Sequence, residues 1–467
     1  MVLIDGSPLR SAEISALAAG HTHIELAETA LARVAQSHEF AVRLAAERPI
    51  YGRSTGVGAN RDVAIELSEA HALGMLRSHA TSAGPPRAPQ RVRAMLAVRL
   101  NELAAGGSGA SPDVVTGLLA MIASDALPPV REFGSIGTGD LSALAVTALA
   151  LIGEAPTSRP LAARVRFGIH DAPAFLSSNA AAIGDAALAQ SALRGLSSAA
   201  LGVAALTFTA VDGNAEAFAE VVEQVTPFEG ARQVCATLRR LLPSPAPPAR
   251  IQDPFGLRTL PQVQGAVRDG LNRLDDVVAA MSGAPSENPV LRPPTGLAHH
   301  GGFQAAYLAQ ALSAVASGVA QSAQLSLARL AMLCEPALTA QTPFLTDATP
   351  GASGVMVCEY VAASALGSLR ALATPVAVQT VTLSRGAEEG ASFASQAARQ
   401  TLEAVGAYRT VLACELVAAV RALRMRGLAP DGMTARLPEG IADRDLTGDL
   451  DLAAAVLDEI AAAVELP

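Results

Sequence analysis

One stretch constrains this chain more than any other: FGSIGTGDLSALAVTALALIGE, Phe133 to Glu154. Three glycines, Gly134, Gly137 and Gly139, allow backbone turns that a side chain would forbid. Asp140 then stands at a helix N-cap position, where its carboxylate is expected to accept the free N–H groups of the first turn. From Leu141 to Gly153 the segment is almost wholly apolar. A helix without a polar face has to be buried. A contorted loop is therefore pressed into the interior at a helix N-terminus, where the dipole favours negative charge. On these residues alone, it is either a buried loop-to-helix junction or a site.

Burying such a helix needs other long helices around it, and composition agrees. Half of the 467 residues are hydrophobic and only 16% are charged, where roughly a quarter is usual. So few charges cannot cover an isolated monomer, which predicts long, mutually buried helices and subunit contacts. Length alone suggests about three domains, and the pattern divides at residue 190. Residues 1–190 carry short elements and the glycine-dense loops; residues 191–467 read as a long-helix bundle. Helices are expected over roughly 262–281, 305–333, 356–372, 391–426 and 449–466, with short strands plausible in 163–169. LPSPAPPAR, Leu242 to Arg250, reads as an extended linker, since proline does not sit inside a helix. Strand signals are scarce, so the class is all-α, built of long antiparallel helices with functional loops at their ends.

Composition also excludes chemistry. A net charge of -9 and 3% aromatic residues argue against nucleic acid. The chain contains no lysine, which rules out a pyridoxal-phosphate aldimine, a Schiff base and a P-loop. Cys235, Cys334, Cys358 and Cys414 are scattered in apolar surroundings and read as reduced core residues. No metal centre is expected: His21-Thr22-His23 lacks a third ligand nearby, and the adjacent His299 and His300 rarely point at one ion. No signal-peptide pattern and no uninterrupted apolar run of about 18 residues is evident, so a cytoplasmic protein without a membrane span is expected.

Several other loops stand out. YGRSTGVGAN, Tyr51 to Asn60, is a surface turn or a lid over a site. His79 ends a helix, where a lone histidine is more often structural than catalytic. Arg258, an obligate cation in the largely apolar run IQDPFGLRTLPQVQGAVRD, needs a carboxylate from the protein or from a substrate.

In this order, the loops resemble the aromatic amino acid ammonia-lyase and aminomutase family, which includes the histidine and phenylalanine ammonia-lyases. YGRSTGVG is similar to the family's Y-G-x-x-T-G-F-G, and RSHATSAG to S-H-A-x-G-x-G. PPVREFGSIGTGDLSALAVTALALIGE is similar to P-x-V-P-x-x-G-S-V-G-A-S-G-D-L-x-P-L, and QDPFGLRTLPQVQGAVRD to Q-D-x-Y-S-L-R-x-x-P-Q-V-x-G-A. ENP, HGGFQ and GAEEGAS resemble D-N-P, G-N-F-H and Q-E-D-H-V-S. The resemblance spans nearly the whole chain. It implies a homotetramer of helical bundles whose active sites each draw loops from three subunits. It also implies a methylidene-imidazolone (MIO) electrophile made from Ala-Ser-Gly of the central loop. Carried over position by position, Tyr51 would be the base, with Asn179 and Arg258 gripping the carboxylate of a small-molecule substrate. His79, Gln252, Phe255, Phe303 and Glu388 match pocket positions, Glu388 as a second acid–base group.

The departures cluster around the electrophile. The central loop is one residue short, with Thr138 and Gly139 where the family has Ala-Ser-Gly. Phe255 replaces a tyrosine, Gly301-Gly302-Phe303-Gln304 loses an Asn and a His, and Ala387-Glu388-Glu389-Gly390 loses a Gln and a His. The expectation is a lyase of the C–N type that uses Tyr51 without an MIO ring at Gly137-Thr138-Gly139, and so without a cofactor. The alternatives are a ring-free acid–base enzyme performing addition, cyclisation or isomerisation on a pre-activated substrate, and a non-catalytic homologue.

Overall fold

A computed structural model describes residues 2–242, 248–378, 381–428 and 432–465. The core of the proline-rich linker, 243–247, lies outside the described residues. By internal packing the chain forms two compact units. The first comprises Met1–Ser191, Leu274–Leu312 and Pro375–Arg399; the second comprises Ala192–Arg273, Ser313–Thr374 and Gln400–Pro467.

In the first unit, β1 (Val2–Ile4) pairs in parallel with β2 (Ile24–Leu26), and α1 (Ser11–Ala18) lies between them in sequence. The amphipathic α2 (Glu28–Glu47) leads to the Tyr51 loop. Ser68 caps α3 (Glu69–His79) by accepting the His71 N–H at 3.2 Å. β3 (Ala83–Pro86) and β4 (Arg131–Phe133) form an antiparallel pair that brackets α4 (Pro89–Ala104) and α5 (Pro112–Ala123). Both of these helices start with proline, whose missing N–H costs nothing there.

The apolar run becomes α6 (Leu141–Ile152), packed against α3, α5 and α7 (Asp171–Leu176). Gly153 ends it in the left-handed conformation, φ +84°. β5 (Val290–Arg292) and β6 (Gly296–Ala298) make a hairpin that presents His299 and His300 just beyond it. No strand forms at 163–169. Val165 is instead wedged against Gly117, where a Cβ would stand 2.1 Å from its Cγ2.

Four long helices contribute to both units: α8 (Ala180–Ala210), α12 (Leu260–Ser282), α13 (Ala306–Cys334) and α16 (Ala394–Met425). The second unit adds α9 (Glu220–Val225), α10 (Glu229–Leu241), α11 (Phe255–Arg258), α14 (Pro336–Thr339), α15 (Met356–Leu372) and α17 (Thr447–Glu465). Its core is tied by polar contacts among the long helices. Arg329 on α13 and Glu415 on α16, both fully buried, pair at 2.6 and 2.8 Å. Thr207 and Ser326 donate to the same carboxylate at 2.8 and 2.6 Å. Gln264, Ser322 and Tyr408 form a second buried cluster. With every acceptor occupied, these groups specify helix register instead of merely costing desolvation.

The four cysteines are free and buried, and burial raises each thiol above its usual range. Two segments, Asp171–Ala210 and Met356–Val378, are long and apolar enough to cross a bilayer by length and composition. Neither is an uninterrupted apolar run: Asp171, Asp185 and Arg194 fall in the first, and Glu359 and Arg370 in the second. The first is mostly buried in the protein, as core helices are; the second is for the most part only partly buried or exposed.

Candidate active site

The first unit encloses a cavity of about 850 Å³. Three loops meet there: the Tyr51 loop, the 134–139 loop and the 383–388 hairpin. Tyr51, His79, Thr138, Gly139, Phe303 and Glu388 all line it. So do apolar side chains including Met75, Leu141 and Leu176, giving a greasy chamber with a few polar groups.

The central loop is held from several sides. Gly137 (φ +82°) and Gly139 (φ +117°) take conformations that favour glycine. A Cβ on Gly137 would meet Ser392 Oγ at 2.3 Å and the Ala394 nitrogen at 2.6 Å. Ser392 Oγ donates to the Gly137 carbonyl at 2.7 Å, and Gly139 N–H donates to Asn179 Oδ1 at 3.1 Å. Thr138 sits between these anchors with its Oγ1 3.4 Å from Glu388 Oε2, a long hydrogen bond.

Asp140 occupies the N-cap position of α6, yet its carboxylate makes no cap bond to that helix. It accepts the Ala182 N–H at 2.8 Å, in the first turn of α8, and the Ser395 hydroxyl at 3.0 Å. The backbone of Asp140 thus starts one helix while its side chain caps another. The first-turn cap expected on α6 is corrected accordingly.

Tyr51 is gripped at both ends. Its backbone N–H donates to His299 Nε2 at 3.1 Å, and its phenol oxygen accepts the Gly58 N–H at 2.7 Å. His299 must be neutral at Nε2 to accept, and burial, reinforced by Arg48 and His300, lowers its pKa. His300 is committed elsewhere: its Nε2 lies 2.6 Å from the Glu287 carbonyl, and its Nδ1 accepts the Gly302 N–H at 3.0 Å. His79 directs Nδ1 at the Met75 carbonyl, 2.9 Å away, which leaves Nε2 for the cavity.

Asn179 is fully buried and uses both ends of its amide, accepting from Gly139 and donating to the Phe303 carbonyl at 2.6 Å. In this arrangement it holds the loop, with one of its two amide hydrogens committed to Phe303. Behind it lies a buried trio. Arg99 Nη1 meets Glu102 at 3.0 Å and Glu287 at 2.9 Å, and the Ser178 hydroxyl donates to Glu102 at 2.5 Å. One cation cannot neutralise two carboxylates. Burial pushes Glu102 up to about 7 despite Arg99, and Glu287 shifts upward for the same reason.

Gln252, Phe255 and Arg258 belong to the second unit and form a cluster of their own. Arg258 donates to Gln252 Oε1 at 2.5 Å and stacks over the Phe255 ring at 4.8 Å. Among the described residues no carboxylate lies within ion-pair distance of Arg258, and its Nε is buried without a partner. Asp253, the neighbouring candidate, is committed to Arg250 at 2.9 Å and to the Asn214 N–H at 2.6 Å. The motif comparison did not single out His299 or Ser392. Ser392 closes GAEEGAS, two residues before α16 begins, and a serine at that junction was the available signal.

The protein is thus a helical bundle with a glycine-dense loop clamped over a mixed polar cavity at the ends of very long helices. Tyrosine aminomutase from Streptomyces globisporus superposes on this fold with a TM-score of 0.91 at 24% identity, covering 99% of this chain and 98% of that one. The sequence matches the profile of the aromatic amino acid lyase family over residues 9–441. Histidine ammonia-lyase of Symbiobacterium thermophilum is 32% identical over 498 residues, 98% of this chain and 97% of the relative. The bovine (Bos taurus) histidine ammonia-lyase is 30% identical over 455 residues, 90% of this chain and 69% of the relative. The chain belongs to the aromatic amino acid lyase family, whose members are C–N lyases and aminomutases.

Proposed function

We propose that this chain is a C–N lyase acting on a carboxylate-bearing, amino-acid-like substrate, with Tyr51 as the base and no methylidene-imidazolone ring. The observation that carries the reading is the convergence of Tyr51, Thr138 and Glu388 on one cavity. The Gly58 N–H aimed at the phenol oxygen steadies negative charge there. Tyr51 takes the proton from carbon, the C–H electron pair becomes the new C=C bond, and the C–N bond breaks with its electrons on nitrogen. Glu388 is the carboxyl placed to meet the departing amine. Asn179, assigned to the carboxylate by resemblance, serves in this reading to hold the loop.

A ring built from Gly137-Thr138-Gly139 fits this loop poorly. Closure joins the Gly139 nitrogen to the Gly137 carbonyl carbon and expels the carbonyl oxygen as water. It removes the hydrogen that Asn179 accepts and the oxygen to which Ser392 donates. Both partners are buried, so each would be stranded at a cost of about 1–3 kcal/mol. The reaction therefore runs without this electrophile, and the substrate must carry its own activating group beside the carbon that loses the proton. A positioned base then contributes its ordinary factor of about 100 to 10,000.

Arg258, with Gln252 and Phe255, is assigned to the substrate carboxylate, brought by another copy of the chain within a homotetramer. That no carboxylate lies within ion-pair distance of Arg258 among the described residues supports the first part. The exposed apolar face of α15, with Val357 and Tyr360 55% and 69% exposed, supports the second. Static light scattering on the purified protein should give a tetramer; a stable monomer at micromolar concentration removes the shared-site reading.

The reaction itself is tested with a panel of amino acids bearing an electron-withdrawing group beside the β-carbon. Ammonia release should fall about 100- to 10,000-fold in Tyr51→Phe, with ligand binding little changed. Unaltered release, or a folded protein two waters lighter than its sequence, defeats the reading.

A further inference from the structure

The 383–388 hairpin does more than present Glu388. Its two arms pair through Leu383 N–H to the Glu388 carbonyl at 2.9 Å and the reciprocal bond at 3.3 Å. At its tip, Ser384 (φ +54°) and Arg385 (φ +55°) are consecutive non-glycine residues in the left-handed region, followed by Gly386 (φ +84°). Such backbone strain persists only where the surroundings impose it. Glycine would relax position 384 at once, so a serine there points to a use for its hydroxyl.

That use is visible across the cavity mouth. Ser384 Oγ accepts the Ala59 N–H at 2.8 Å, the one hydrogen bond between the hairpin and the Tyr51 loop among the described residues. The adjoining residue, Gly58, is the donor to the Tyr51 phenol oxygen. Gly58 is itself left-handed at φ +56°, and a Cβ there would stand 2.7 Å from Ser384 Oγ and 4.0 Å from Glu388 Oε1. Two successive amides of the lid thus fasten in opposite directions, one onto the phenol and the next onto the hairpin.

We propose that Ser384 is a positioning residue, a latch that holds the Tyr51 loop closed and keeps the phenol in register with Thr138 and Glu388. The role in turnover rests on the reading of Tyr51 as base; the latch itself does not. One hairpin thereby sets both acid–base groups, Glu388 directly and Tyr51 through the Ala59 and Gly58 amides.

Hydrogen-exchange mass spectrometry on the full chain tests this without a substrate. Ser384→Gly removes the hydroxyl while relieving strain, so the hairpin keeps its fold. Exchange in residues 56–60 should rise about 3- to 10-fold, the loss of one hydrogen bond, while 383–388 stays as protected as in the parent. Gly58→Ala, which displaces the same hydroxyl from the opposite side, should raise exchange in 56–60 alike. Unchanged lid protection in both variants overturns the latch, as does a rise confined to 383–388, the mark of a purely local role. Ammonia release reports separately on Tyr51: a latch confirmed by exchange beside an active Tyr51→Phe variant would sink the base assignment alone.

Discussion

Glu102→Gln should make the protein more stable at neutral and alkaline pH, although it removes a charge that touches Arg99. In the folded chain Glu102 is fully buried, shares Arg99 with Glu287, and has one carboxylate oxygen without a partner. Its pKa is raised from 4.5 to about 7. A raised carboxyl is favourable to folding while protonated, below 4.5, and that advantage is lost as pH climbs towards 7. The interval from 4.5 to about 7, at about 1.36 kcal/mol per pH unit, amounts to about 3 kcal/mol. Glutamine mimics the protonated acid: its carbonyl can still accept from Ser178 and Arg99, and it never ionises. The assay is urea unfolding followed by circular dichroism, on parent and variant, at intervals from pH 4.5 to 8. The stability difference, variant minus parent, should grow by about 3 kcal/mol over that range and flatten above it. Parallel pH profiles would refute the argument, since other titrating groups cancel between the two proteins. A double variant that also carries Glu287→Gln strands Arg99 and should be destabilised at every pH.

Arg258→Met should leave the fold intact, because among the described residues the side chain has no carboxylate partner to lose. Binding of carboxylate ligands, read by calorimetry, should weaken by about 2–5 kcal/mol; unchanged binding, or unfolding, would return Arg258 to a structural role. Glu415→Ala should cost about 3–5 kcal/mol in denaturant unfolding, since it leaves the fully buried Arg329 unpaired. A loss under 1 kcal/mol would show that the second unit does not depend on this pair.

The helices were legible wherever periodicity ran long. The expected 356–372 matches α15 residue for residue, and 262–281 and 305–333 fall within one or two residues of α12 and α13. What pattern cannot convey is which distant group a side chain serves. Asp140 reads as a local cap from its position alone, but its carboxylate caps α8, about forty residues on in the chain. Asn179 matches a substrate-gripping position, and its contacts with Gly139 and Phe303, which tie the loop, could not be read from the motif. The 163–169 segment has a strand-like composition and finds no partner strand, because Val165 fills the notch at Gly117. Tyr51, Thr138 and Glu388 line one cavity, since each lies on a short loop tied to an adjacent rigid helix or hairpin.

The two hydrogen bonds flanking Thr138 also bear on time. A site that depends on a ring has to be built after the chain folds, by a covalent step that compresses its own backbone and releases water, so fresh protein passes through a period of being folded but inert. On the ring-free proposal, in which Asn179 keeps the Gly139 amide and Ser392 keeps the Gly137 carbonyl, that interval disappears. On that proposal the protein is complete as soon as its helices dock, and its output follows synthesis without lag. On the same proposal, refolding from denaturant leaves no ring to regenerate, and no covalent step limits recovery of the working state.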